Sequence, residues 1–169
     1  MRVTIRGILG NARVGLQIDI GFGDIVSPRP TRISYPAILD FPAPEFSGYT
    51  KESAIAEKFQ AMVKLGMLNS RMKDFYDIWL MSRMFDFEGQ DLAKAIEKTF
   101  KDRATALTAS PRVFDREFCK DQNKQTQRKA FLRRTKLTNV PADLCEVIAD
   151  IKKFLVPILN AIGVKERPG

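Results

Sequence analysis

The sequence predicts an α+β fold, with a short N-terminal antiparallel β-hairpin followed by a mainly α-helical bundle. Three observations predict it. Two early segments alternate polar and apolar residues on either side of a Gly-Asn pair, prolines crowd residues 28 to 48, and from Thr50 onward apolar residues recur at helical spacing. The chain therefore divides into a hairpin with a Pro-rich connector over 1–48 and a helical domain over 49–169.

In the first segment, Val3 and Ile5 alternate with Arg2, Thr4 and Arg6. In the second, Val14, Leu16, Ile18 and Ile20 alternate with Arg13, Gly15, Gln17 and Asp19. A period of two marks a strand with one face half buried. Gly10-Asn11 suits a two-residue turn that needs positive φ at its first position. A lone hairpin is marginal in water and calls for further strands. Ile33-Ser34-Tyr35 is the one short candidate. Pro28, Pro30, Pro36, Pro42 and Pro44 are expected to exclude regular structure and leave an extended connector.

Thr50 can cap the first helix, with Glu52 in its first turn favourable to the dipole. Ile55, Phe59, Met62 and Val63 form its apolar face, and Gly66 suits its C-terminus. A second helix, capped by Asn69 or Ser70, runs to the neighbourhood of Phe85. A third covers residues 90 to 103 and buries Leu92, Ala95, Ile96, Thr99 and Phe100. One or two basic helices occupy 111 to 136. The last is expected to start near Pro141, with Leu144, Val147, Ile148, Ile151, Leu155, Ile158, Leu159 and Ile162 along its stripe and a kink at Pro157.

Composition narrows the chemistry. The chain has 169 residues, 44% hydrophobic and 28% charged, as in an ordinary soluble domain. No apolar run approaches the roughly 18 residues of a membrane span, and the alternating start does not read as a signal peptide. Cys119 and Cys145 are too few for a metal-ligand pattern, and a cytoplasmic protein with reduced thiols is expected. The absence of histidine excludes Ser-His-Asp and Cys-His catalysis and His-based zinc sites. Proton transfer is left to carboxylates, lysine, tyrosine or water. A net charge of +8 favours polyanionic partners, or is simply a solvated basic surface.

Three side chains stand out as candidate site residues. Asp19 ends a strand and is followed by Gly21, Gly23 and Asp24. It is read either as a Mg²⁺ ligand or general base, or as a solvated aspartate leading into a Gly-rich turn. Lys58 lies on the rim of the first helix's apolar stripe, where it either snorkels or aims its ammonium at phosphate oxygens. Asp74 leads a second apolar series, Ile78, Met81 and Phe85, on a helix whose main stripe is Met72, Phe75, Tyr76, Trp79 and Leu80. A carboxylate so placed needs a cation, and Lys58, Arg71 or a metal qualifies. Asp77 is a weaker candidate of the same kind. Arg112, Arg116, Lys120, Lys124 and Arg128 recur every fourth residue within a segment, 112 to 136, that holds nine basic and three acidic residues. That row is either a solvated face or an RNA contact.

Gln17-Ile18-Asp19-Ile20-Gly21-Phe22-Gly23-Asp24, Tyr49 to Phe59 with its Ala56-Glu57-Lys58, and Asn69-Ser70-Arg71-Met72-Lys73-Asp74-Phe75-Tyr76-Asp77 together resemble the AbiEii/AbiGii toxin family. These are nucleotidyltransferase-like toxins of bacterial abortive-infection, type IV toxin–antitoxin systems that act in phage defence. The resemblance covers nearly the whole chain. It implies that the hairpin is part of a nucleotidyltransferase sheet and that the reaction is Mg²⁺-dependent transfer of a nucleotide from an NTP to an acceptor such as tRNA. It makes Asp19 the late carboxylate near the metal, Lys58 the triphosphate contact with Arg71 and Lys73 beside it, and Asp74 the essential acid. It also implies a cognate antitoxin.

The family's first motif, a Gly-Ser turn followed by an Asp-x-Asp pair, has no match here. The expectation is therefore a C-terminal portion of such a toxin, inactive by itself, with an exposed strand edge open to dimerisation or another chain. The alternative is a non-enzymatic basic helical module that binds RNA or a protein partner.

Overall fold

A computed structural model describes residues 1–21 and 28–163. Strands β1 (Arg2–Leu9) and β2 (Ala12–Asp19) form an antiparallel hairpin closed by Gly10-Asn11, with Gly10 at φ 56° as the turn requires. The register pairs Val3 with Ile18 and Ile5 with Leu16, so apolar side chains share one face. That face is not half buried as the alternation predicts. Ile5, Val14, Leu16 and Ile18 are 45%, 51%, 54% and 49% exposed. Among the described residues the hairpin packs chiefly on itself, and no helix lies against its apolar side.

The connector departs from its expected irregularity. Strands β3 (Thr31–Ser34) and β4 (Glu45–Gly48) pair antiparallel within it as a second two-stranded sheet. Pro28 and Pro30 precede this ladder, and Pro36, Pro42 and Pro44 sit in its loop. No paired residue is a proline, so no ladder donor is lost.

The helices follow in order: α1 (Lys51–Leu65), α2 (Met72–Met84), α3 (Gly89–Asp102), the short α4 (Arg116–Lys120), α5 (Gln122–Thr135) and α6 (Leu144–Ala161). Thr50 caps α1 by accepting from the Ser53 N–H, and Gly66 ends it at φ 47°. Neither Asn69 nor Ser70 caps α2. Arg71 occupies that position without a side-chain bond, because the Asn69 carboxamide oxygen is taken up accepting from the Arg71 N–H at 2.8 Å. The final helix starts at Leu144 rather than near Pro141, because Asp143 supplies a side-chain cap to the Cys145 N–H. The carbonyl of Pro141 instead accepts from Arg128. Helix α6 continues through Pro157, which lies at an exposed position.

The core lies where α1, α2, α3 and α6 meet. Phe59 packs against Phe100 at 5.3 Å and Phe114 at 5.9 Å between ring centres, and Phe75 against Phe118 at 5.6 Å. Packing of the α4 end against the start of α6 brings the Cys119 and Cys145 Cα atoms to 4.9 Å, and the two form a disulfide. This corrects the expectation of reduced thiols. Residues 26 apart in sequence gave no hint of adjacency before the helices were packed.

Candidate functional site

The site is built at the junction of α1 and α2. Gly66 lets the chain leave α1 and turn through a short 3-10 segment, Gly66–Leu68, into α2. Lys58 sits midway along α1. Asp74 and Asp77 occupy the first two turns of α2, three residues apart and hence on one face. The Lys58 ammonium is 3.3 Å from Asp74 Oδ1 and 2.6 Å from Asp77 Oδ2, and Lys73 adds a second contact to Asp77 Oδ2 at 2.6 Å.

The three central side chains are mostly covered, at 24% exposure for Lys58, 16% for Asp74 and 15% for Asp77. Burial by itself lowers the Lys58 pKa. Hydrogen bonding and charge attraction, from Asp77 first and then Asp74, outweigh it, and the ammonium ends above its ordinary range. Lys58 is thus a fixed cation that does not give up its proton near neutrality. Of the partners left open for Asp74 in the sequence, the structure supplies Lys58. Asp77 holds the shorter contact of the two, although the sequence pattern marks it as the weaker candidate. Its spacing from Asp74 and from Lys73, four residues earlier, was the available signal.

Asp74 also lines a groove of about 660 Å³ between the start of α2 and the last turns of α5. Arg71, Lys73, Arg133 and Arg134 line the same groove. Lys58 is therefore joined through Asp74 to a strongly basic recess.

The other candidates fall elsewhere. Asp19 pairs with Arg2 across the hairpin at 2.6 Å and 3.1 Å and accepts from Gln17. The Arg2 hydrogen bond holds its carboxyl below the usual range while the group stays in solvent. No described contact joins it to Lys58 or Asp74. Gly23 and Asp24, which follow it in sequence, lie outside the described residues.

The row of basic residues is not one surface stripe. A break at Asp115 and another at Asp121 divide it among a 3-10 turn, α4 and α5. Arg112, Arg116 and Lys120 remain exposed, whereas Lys124 and Arg128 are 5% and 1% exposed. The Lys124 ammonium donates to the Asn69 carbonyl at 2.8 Å and lies over the Phe118 ring. Arg128 donates to Pro141 and keeps Nε and Nη1 buried without a partner, and this desolvation lowers its pKa. These two cations are engaged within the bundle.

A magnesium site does not fit the described residues. Asp74 and Asp77 both face the Lys58 ammonium, Asp19 is held by Arg2, and no group of three carboxylate or thiol side chains converges among the described residues. Mg²⁺ demands near-octahedral oxygen coordination, which such spoken-for carboxylates do not offer.

The family model described as Nucleotidyl transferase AbiEii toxin, Type IV TA system, matches residues 1–150. The chain belongs to this AbiEii toxin family. The match spans both small sheets and all of α1 to α5, and so covers the Lys58–Asp74–Asp77 cluster and the groove beside it. A type IV toxin implies an antitoxin partner. A search of the curated proteins found no match, and a search of the solved structures found none. Among the described residues of this AbiEii-family chain, no helix is long and apolar enough to cross a membrane.

Proposed function

We propose that this chain is a nucleotidyltransferase-like toxin in which Lys58 binds the phosphates of an NTP, with Arg71 and Lys73 beside it, and Asp74 is the functional acid. The observation that carries the reading is the Lys58 ammonium, held mostly buried between Asp74 and Asp77 at the edge of a basic groove. Beyond its contacts to Asp74 and Asp77 the ammonium keeps one N–H donor, which a phosphate oxygen can accept. Transfer to an acceptor such as tRNA, a cytoplasmic setting, a role in abortive infection as phage defence, and self-association through a strand edge belong to the same proposal. In a reducing cytoplasm the Cys119–Cys145 bond would open.

Because the described carboxylates do not build a magnesium site, we assign Mg²⁺ to the complete family reaction and expect this chain alone not to transfer nucleotides. The test is NTP-dependent labelling of bulk tRNA with Mg²⁺ present, run beside NTP binding by calorimetry. Binding is expected to weaken roughly tenfold in Lys58→Ala, the loss of one charge-assisted hydrogen bond, with no labelling by any variant. NTP affinity unchanged by Lys58→Ala overturns the assignment of Lys58. Labelling that disappears in Lys58→Ala and Asp74→Ala overturns the expectation of inactivity and upholds the site.

A further inference from the structure

We infer that the Cys119–Cys145 pair is a reversible thiol–disulfide switch that sets the α5 wall of the basic groove, so that closing the bond tightens phosphate binding there. The inference goes beyond the reading above and rests on it only for the ligand that occupies the groove.

The bond joins the last turn of α4 to the first turn of α6. Helix α5 lies between them in the chain and is tied to both ends of the bond. The Gln125 carboxamide donates to the Cys119 carbonyl at 2.7 Å and to the Asp143 carboxylate at 3.1 Å. That same carboxylate accepts from the Cys145 N–H at 2.9 Å. One side chain of α5 therefore spans the acceptors beside both cysteines, and the span depends on how α4 stands against α6. The closed bond holds the two Cα atoms at 4.9 Å. Opening it removes the covalent tie on α4, a helix of 5 residues that is too short to hold itself in place.

Beyond Gln125, α5 presents Gln127, Ala130, Phe131, Arg133 and Arg134 to the groove. A helix shifts as a body, because hydrogen bonds fix each turn to the next, so a displacement at Gln125 is carried to Arg133. Lys124, beside Gln125, donates to the Asn69 carbonyl just ahead of α2 and so links the start of α5 to the opposite wall. A wall held in place by the closed bond loses less freedom when a ligand arrives, which favours tighter binding in the oxidised form.

The chemistry is thiol–disulfide exchange. Cys119 is 5% exposed, whereas Cys145 is only partly covered, so a thiolate from solution meets the Cys145 sulfur first. Attack by glutathione thiolate forms a mixed disulfide there and breaks the bond to Cys119, whose sulfur leaves with the electron pair and takes up the proton that glutathione released. A second glutathione thiolate attacks the glutathione sulfur of the mixed disulfide and frees Cys145 in the same way. Two electrons pass from two glutathiones to the pair, and oxidised glutathione reverses both steps. Disulfides in cytosolic proteins are mostly catalytic or redox-sensing. Neither cysteine lines the groove, which leaves sensing.

The test compares the full chain treated with oxidised glutathione and with dithiothreitol, using ATP as the probe in calorimetry. Oxidised protein is expected to bind ATP at least about fivefold tighter, the lower end of ordinary allosteric coupling. Coupling is reciprocal, so in a glutathione redox buffer saturating ATP should raise the ratio of closed to open protein, read by thiol alkylation, by the same factor. Gln125→Ala should still form the disulfide but lose most of the difference in affinity. Cys119→Ser/Cys145→Ser should bind ATP as the reduced parent does, with or without dithiothreitol. The amide NMR signals of Ala130, Phe131 and Arg133 should move between oxidised and reduced parent, and much less in Gln125→Ala.

Equal ATP affinity in the two forms overturns the inference, and so does a difference that persists in full in Gln125→Ala. Loss of the fold on reduction, seen by circular dichroism, would make the bond a structural staple and overturn it as well. If ATP binds neither form, the nucleotide reading fails and the amide signals decide the inference separately. Signals that move in the parent and not in Gln125→Ala uphold the switch, and signals that do not move overturn it.

Discussion

Ile55, Phe59 and Ile78 in the helical bundle are fully buried, whereas Ile5, Leu16 and Ile18 in the first hairpin are about half exposed. Both regions have apolar residues at the period proper to their secondary structure. The difference lies in what stands opposite. Each helical stripe faces another helical stripe, as Phe59 faces Phe100 and Phe114. The hairpin's apolar face has only its own cross-strand neighbours among the described residues. Periodicity shows which face is available for burial. It does not show that a second layer arrives to bury it.

The contrast is open to direct attack. The largest effect is expected in the bundle, where Phe59→Ala removes a fully buried ring and should cost about 3–5 kcal/mol in denaturant unfolding. Ile8→Ala, at a hairpin position 71% exposed, should change stability by no more than about 0.5 kcal/mol. Comparable losses at the two positions would show that the hairpin has a buried partner in solution and would break the contrast.

Next in size is the Cys119–Cys145 bond, which closes a loop between residues 26 apart in sequence. Chain-entropy reasoning gives roughly 3.5 kcal/mol for a loop of that length. Thermal melts with and without reductant should differ in bundle signals and leave hairpin amide exchange unchanged.

A loss smaller than those at Phe59 and the disulfide is expected at Asp143, which caps α6. The Cys145 N–H and then the Gln125 side chain donate to its carboxylate and hold its pKa below the usual value. A carboxyl whose folded-state pKa is depressed adds stability above the unfolded value of about 3.9, and that stability is lost as pH falls through the folded value. Asp143→Ala should therefore cost about 1 kcal/mol at neutral pH. The gap between variant and parent should close on acidification, and a gap that persists in acid would remove the cap as its cause.

The helices were legible because their signals are local. Thr50, Gly66 and the 3.6-residue stripes state their own boundaries, and the third helix falls within a residue of its expected place. The second sheet was hidden by prolines that sit just outside the paired residues, a distinction that needs the register of β3 on β4. In the site, the misplaced charges at Lys58 and Asp74 were visible as departures from amphipathic patterning. The closer engagement of Asp77 was not, since a difference between 3.3 Å and 2.6 Å depends on how α1 crosses α2.

The basic row illustrates the same limit from the other side. Even spacing of Arg112 to Arg128 reads as one helix face, but Asp121 caps a new helix by accepting from the Lys124 N–H and so rotates the register. Lys124 and Arg128 then point into the bundle, where the Asn69 and Pro141 carbonyls receive them.

The amino-acid order by itself determined the first hairpin and the helices, the turn at Gly10, the caps on α1 and the charges that packing alone would not place. Only the tertiary structure decided which of those charges meet, which cations are buried, and that Arg133 and Arg134 stand across a groove from Arg71. The reason is physical. Propensity and periodicity act over a few bonds, whereas a groove or an ion pair depends on the relative placement of helices far apart along the chain, which packing of their apolar faces fixes.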